Sequence, residues 1–231
     1  MKETVSVAIE TSCRVGGLAL GRGDELVGSL EFDASRGHAA VLVRQLEAML
    51  SQARLQPADL DELYLSAGPG SFTGVRVGVT VARTLGQMFP GLRLVAVPTV
   101  QAVAENARDL PWERLAVVLD ARENLIYVCL FRREGDGVVQ ASEPGVVTPS
   151  EFLVSAPRPL TVIGEGLGYH DLHGEGITIA DAALGLPTAA GAWRAGRRLA
   201  KQGLFVDYNH LLPIYSRKPE AVRLWEKRGL T

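Results

Sequence analysis

Cysteine is scarce in this chain: of 231 residues only Cys13 and Cys129 carry thiols, and they lie far apart without metal-ligand or redox spacing. That excludes a disulfide framework and a zinc-ribbon module, and it suits two buried thiols in a reducing compartment. Long apolar runs are missing too. None approaches the ~20 residues that a membrane-spanning helix needs, and the opening Met-Lys-Glu-Thr leads into an alternating pattern with no signal-peptide character, so the expected location is the cytoplasm with no membrane association. Neither charge sign is in excess. With 24 Lys+Arg against 26 Asp+Glu, a net charge of -2 and a pI near 6.1, there is no bulk attraction to nucleic acid. Any contact with nucleic acid is expected to come through a partner or a local patch.

A hydrophobic fraction of 47% is ample for a core, enough for one domain or two small lobes. Residues 4–10, 16–20 and 25–31 read as three strands in succession, an antiparallel meander. After the polar stretch 33–37, Leu42, Leu46, Met49, Leu50 and Ala53 recur at helical spacing over 38–54. A buried strand at 62–67, the turn Gly68-Pro69-Gly70, a helix over 73–88, a strand at 94–97 and a helix over 99–108 follow. The segment 109–113, with Pro111, marks a boundary, giving lobes at 1–110 and 111–231. The second lobe repeats the opening of the first: strands at 115–120, 125–131, 138–141 and 160–163, a capping box Thr148-Pro149-Ser150-Glu151 starting a short helix, and a last helix over 189–202. Strands ending in Glu10 and Asp120, each followed by a turn and another strand, suggest an internal duplication.

The richest segment is AGPGSFTGVRVGVTVARTLG, residues 67–86. A glycine-rich turn opening a helix is one way to hold a phosphate, but no lysine follows Gly74 in the P-loop manner and Pro69 removes a backbone donor. Along the helix Gly74, Gly78, Ala82 and Gly86 fall at four-residue spacing, hence on one face. Interior glycines cost about 1 kcal/mol each relative to alanine, so this face wants a close approach by another backbone. Packing on the chain's own sheet and contact with a second chain both satisfy that requirement. Gly164-Glu165-Gly166-Leu167-Gly168 has the look of either a nucleotide loop or a plain turn. His170 and His173, with Asp171 and Glu175, fall in a glycine-bounded polar stretch and read as a solvated loop more readily than as metal ligands. His38 has Leu42, not a second histidine, four residues on. Ser12 and Ser71 have no identifiable base, so no nucleophilic peptidase site can be assembled. Arg194, Arg197, Arg198 and Lys201 share a helix face and complement its macrodipole, with contact to an acidic partner or a nucleic-acid phosphate as the sharper reading.

Ile9-Glu10-Thr11-Ser12, AGPGSFTGVRVG at 67–78, DARENLIYV at 120–128 and Pro213-Ile214-Tyr215, in this order and spanning nearly the whole chain, resemble the TsaB (YeaZ) family. The resemblance implies an α/β, actin-like (ASKHA, ribonuclease H-like) fold of two related lobes with mixed sheets. It also implies a non-catalytic, cofactor-free and metal-free subunit that supports a TsaD-type enzyme in threonylcarbamoyladenosine formation on tRNA, with a TsaE-type ATPase as a further partner and a homodimer when TsaD is absent. The family's shared interface would fall on the helices opening near His38 and Thr73, here His38, Leu42, Gly74, Val75, Gly78, Val79, Ala82 and Gly86. Two departures bear on chemistry. Glu10 stands where many relatives resemble it with Asp, and the extra methylene shifts the carboxylate by about one bond length, which matters at near-ideal Mg²⁺ geometry. Arg122-Glu123-Asn124 fills a turn where a phosphate site would want glycine. His38-Ala39-Ala40 replaces the His-Ser-Glu often seen in relatives. An autonomous actin-like ATPase or phosphotransferase and a stand-alone homodimeric binding module are the competing readings.

Overall fold

The computed structural model describes residues 3–33, 38–135, 137–216 and 225. Its strands form two sheets. In the first, β1 (Val5–Glu10), β2 (Val15–Arg22) and β3 (Glu25–Asp33) make the antiparallel meander, and β4 (Glu62–Gly68) and β5 (Arg93–Pro98) add in parallel on the other side of β1, in the order β3-β2-β1-β4-β5. Every residue of β1 and β4 is buried, Ser6, Glu10, Glu62 and Ser66 among them, because these central strands are covered on both faces. The second sheet comprises β6 (Arg114–Asp120), β7 (Ile126–Glu134), β8 (Gly137–Gln140), β10 (Leu160–Ile163) and β11 (Ile177–Ile179), with β9 (Gly145–Val147) pairing β7. Its order, β8-β7-β6-β10-β11, repeats that of the first sheet. The short strands β9 and β11 escape sequence reading because three residues are too few to show a period.

Helices α1 (His38–Gln52) and α2 (Phe72–Met88) flank the first sheet, and α4 (Pro149–Ser155) belongs to the second. The α4 capping box forms as its sequence suggests: Thr148 Oγ1 accepts from Glu151 N at 3.2 Å, and Thr148 N donates to Glu151 Oε2 at 2.8 Å. The two remaining helices are exchanged between sheets. In α3 (Thr99–Asn106), Val100, Val103 and Ala104 pack among Leu115, Val117, Cys129 and Phe131 of the second sheet. In α5 (Ala189–Lys201), Ala189, Ala192, Trp193 and Ala195 pack among Ala8, Ala19, Tyr64 and Val95 of the first. Trp193 Nε1 donates to Ser6 Oγ at 2.8 Å, fixing α5 on β1. A lobe boundary at 110/111 therefore needs correction for the end of the chain. Helix α5, the Val206 bridge to Leu94 and the Ile214 N–H bonded to Ala67 O at 2.7 Å lie with the first sheet.

The basic stripe of α5 is mostly absorbed internally. Arg197 pairs with Asp24 at 3.0 Å and Glu62 at 3.3 Å, Lys201 with Asp24 at 2.7 Å, and Arg198 with the buried Glu105. These pairs orient α5 on its sheet and leave only Arg194 of the four without an ion pair among the described residues.

Helix α2 settles which way its small face points. Gly74, Val75, Gly78, Val79, Ala82 and Gly86 are all buried, and so is Leu42 of α1. The His38 side chain and residues 34–37 lie outside the described residues. The expectation that this stripe forms an exposed groove is corrected: it faces the chain's own sheet, and the helix's opposite side meets solvent. Ala82→Glu should accordingly prevent folding, since placing a carboxylate at a fully buried position costs several kcal/mol or more against a total stability of about 5–15 kcal/mol. Circular dichroism at 25 °C should report lost helicity; a folded Ala82→Glu protein would contradict the inward placement.

Candidate functional site

Three of the quoted motif segments converge at one end of the first sheet. Strand β1 ends at Glu10, and the chain turns through Thr11 and Ser12 into β2. The glycine loop after β4 lies directly on that turn. Ser71 N donates to Ser12 O at 2.6 Å, and Thr11 Oγ1 donates to Gly74 O at 2.9 Å. Ser71 also caps α2, its Oγ accepting from Gly74 N at 3.3 Å. The glycines are required by this contact. A Cβ at Gly74 would sit 1.9 Å from Thr11 O, one at Gly70 would sit 2.4 Å from Ser12 O, and one at Gly78 would sit 2.5 Å from Thr11 Oγ1. The close backbone approach that the sequence demanded is therefore made to the first hairpin, where a phosphate would have to lie. The third segment, 213–215, closes the other side: Ile214 bonds Ala67, and the Tyr215 ring stacks on Phe72 with centroids 5.7 Å apart.

Glu10 is sealed beneath this contact at 1% exposure. Its Oε1 accepts from Ser12 N at 2.5 Å and Ser12 Oγ at 2.6 Å, while Oε2 has no partner among the described residues. Burial pushes the Glu10 carboxyl above the usual carboxylate range, against the lowering effect of the Ser12 bonds. A Mg²⁺-binding carboxylate must be ionised and must reach solvent or substrate oxygens; this one is enclosed and turned to its own hairpin.

The equivalent point of the second sheet is built differently. Asp120 ends β6, and its Oδ1 accepts from Arg122 N at 3.1 Å and lies 3.1 Å from His170 Nε2. Glu165 Oε1 accepts from Asp120 N at 3.0 Å, and burial raises the Glu165 carboxyl. The loop is solvated as expected at Asp171, His173 and Glu175, with His173 paired with Asp171 at 2.7 Å. His170 is the exception: it and Asp120 are 8% and 9% exposed, and it is tucked against the end of β6. Residues Arg122, Glu123 and Asn124 all adopt positive φ, 63°, 54° and 57°, so the bulky turn is made without glycine at a cost of about 1–2 kcal/mol per residue. Glu165–Gly168 is a 3₁₀ turn packed on the end of β6, where a Cβ on Gly166 would meet the Val118 side chain at 2.9 Å. Sequence reasoning missed the Asp120–His170 pair because fifty residues separate its members.

Nucleophilic chemistry finds no support in this geometry. The Ser12 hydroxyl donates to Glu10, the Ser71 hydroxyl caps α2, and burial pushes the thiols of Cys13 and Cys129 up to about 12. A thiol held that high is protonated at neutral pH. Among the described residues no three His, Cys, Asp or Glu side chains converge as metal ligands would.

Two sheets of one repeated order, with their closing helices exchanged, define an actin-like (ASKHA, ribonuclease H-like) α/β protein whose first hairpin is packed against its own glycine loop. A family model described as TsaD, tRNA N6-adenosine threonylcarbamoyltransferase, matches residues 32–208. The tRNA threonylcarbamoyladenosine biosynthesis protein TsaB of Bacillus subtilis is 28% identical over 95% of this chain and 96% of its own length, and that of Escherichia coli is 26% identical over 96% of each. The crystal structure of YeaZ from Pseudomonas aeruginosa superposes with a TM-score of 0.81 at 26% identity, covering 92% of this chain and 99% of that one. Another Pseudomonas aeruginosa structure, of a protein described as similar to the peptidase YeaZ, gives a TM-score of 0.83 at 26% identity over 93% and 100%. The chain belongs to this TsaD-type family, in its TsaB (YeaZ) branch.

The raised Glu10 pKa carries a pH signature. In the folded state Glu10 keeps its proton above the ordinary value of 4.5, where the unfolded chain has lost it. The folded state thus binds more protons, and stability falls as pH rises from there to the folded pKa, by up to about 1.4 kcal/mol per pH unit. Glu10→Gln retains an acceptor for Ser12 and has nothing to ionise. Urea denaturation across this window should show wild type losing stability relative to Glu10→Gln as pH rises; parallel profiles would refute the buried, proton-holding carboxyl.

Proposed function

We propose that this chain is a non-catalytic subunit that supports a TsaD-type enzyme in forming threonylcarbamoyladenosine in tRNA. The observation that carries this reading is the closure of the first hairpin. Thr11 and Ser12 occupy the approach that a nucleotide phosphate would need, with Glu10 sealed below. Phosphoryl transfer depends on positioning phosphates and metal against such a hairpin, so autonomous ATPase action is disfavoured. The names of the TsaB relatives supply the pathway.

The partner surface in this reading is the solvent side of α2 with the adjoining part of α1. It differs from the small-residue stripe by half a helical turn. Ala39, Phe72, Thr73, Arg76, Val77, Thr80 and Val81 line a shallow groove of about 300 Å³ there. Phe72 is 52% exposed at its rim and is held in place by the Tyr215 ring. An apolar groove with a rigid exposed aromatic is the usual form of an interaction anchor. A second copy of this chain competes for the same surface, and a TsaE-type ATPase would join through other faces.

Purified protein should show no steady ATP turnover. Phe72→Ala should weaken binding to the TsaD-type subunit of the same organism about tenfold or more with an unchanged circular dichroism spectrum. ATP turnover abolished by Glu10→Ala would overturn the non-catalytic assignment.

A further inference from the structure

Helix α2 contains no acidic residue along Phe72–Met88, yet its solvent side carries two arginines seven positions apart. The Arg76 guanidinium lies 4.1 Å above the Phe72 ring. Arg83 lines a second groove, of about 390 Å³, with Thr80, Thr84, Gln87, Tyr208 and Asn209. Neither arginine makes an ion pair among the described residues, in contrast to Arg197 and Arg198 of α5. Thr80 belongs to both grooves, and among the described residues no Asp or Glu lines either one. Acids near α2 in sequence are engaged elsewhere, Glu62 with Arg93 and Arg197 and Glu105 with Arg198, and beside the second groove Asp207 Oδ1 accepts from Asn209 N at 2.8 Å. The Thr80 and Thr84 hydroxyls donate back to Arg76 O and Thr80 O at 2.8 and 2.9 Å. The strip therefore presents two cations flanking threonines whose protons are already engaged.

Resting on the reading of this face as the partner surface, we infer that it selects a helix of a different chain carrying carboxylates about seven residues, or roughly 10 Å, apart, and that it disfavours a second copy of itself. An isologous dimer must pair the surface with its own image. In an antiparallel two-fold crossing, which opposes the helix dipoles, an axis at Thr80 would lie midway between the arginines. Each Arg76 then faces the other copy's Arg83 along the same edge. Like charges across an interface raise specificity by penalising the wrong partner. A helix with carboxylates at the matching spacing reverses the sign of both contacts. The same arginine arrangement thereby accounts for one surface serving two competitors unequally.

The symmetry makes the test sharp, because a single charge reversal turns the self-pairing from repulsive to complementary. Arg83→Glu should tighten self-association about tenfold in sedimentation velocity, as each Arg76 meets a glutamate of the other copy, and should weaken binding of the TsaD-type subunit about tenfold in titration calorimetry. Arg76→Glu/Arg83→Glu should return self-association to the wild-type level, since glutamate then faces glutamate, while partner binding falls further. Wild-type partner binding should weaken with added salt. If neither variant alters self-association or partner affinity while Phe72→Ala still abolishes partner binding, the charge selectivity is wrong and the surface assignment stands. If Phe72→Ala leaves partner binding intact, the surface assignment and this inference both fall.

Discussion

The contact between Thr11 and Gly74 organises this protein. A hydroxyl from the first hairpin donates to the backbone of the glycine loop, and Ser71 returns a bond to Ser12. Two segments sixty residues apart are thus joined backbone to backbone, at distances that any side chain on the loop would prevent. The helix that follows can then lie flat on the sheet through its small residues, because its N-terminus is pinned where β1 ends. Everything above that point is consequence: the burial of Glu10, the docking of Ile214 beside Ala67, and the Tyr215 ring resting on Phe72. A nucleotide-using relative of this fold would need that space for phosphate oxygens and a metal ion. Here the glycine loop packs against Thr11 and Ser12, and Glu10 is buried beneath them.

The second lobe reaches a comparable result by other means. Its hairpin acid, Asp120, is covered by His170 and by the backbone of a left-handed turn, and Glu165 holds the Asp120 N–H from below. Both ends that would face one another across an actin-like cleft are satisfied from within. The exchange of α3 and α5 between the sheets then ties the lobes together. Asn106 at the end of α3 donates to Leu184 O and Leu186 O and accepts from the Thr188 hydroxyl, so the start of α5 is set by the end of α3.

Charge is distributed with the same economy. The cations of α5 are engaged with Asp24, Glu62 and Glu105, so the conspicuous basic stripe in the sequence is a fastening of the helix to its sheet. The arginines of α2 are sparser and less conspicuous in sequence, but no carboxylate shares their helix. Spacing pointed only to the α5 group, since an ion pair with a residue 173 positions away leaves no local trace.

Periodicity, caps and turn residues determined most of the elements and suggested the duplication, while the strand order came from the pairing of the folded sheets. These local signals depend on neighbours within a few positions, as with the Thr148 box or the apolar run of β4. The motif segments likewise determined the family, because their order along the chain is itself the signal. What only the tertiary structure decided was direction and company. A stripe of glycine and alanine on α2 announces that something comes close, and its chemistry is equally suited to the chain's own hairpin and to a foreign helix. A histidine in a glycine-bounded loop looks solvated until β6 is found above it. Three-residue strands are recognised by the partners they pair with. Each of these is a relation between residues far apart in sequence, and burial, which separates core from interface and salt bridge from open charge, is a property of the folded chain alone.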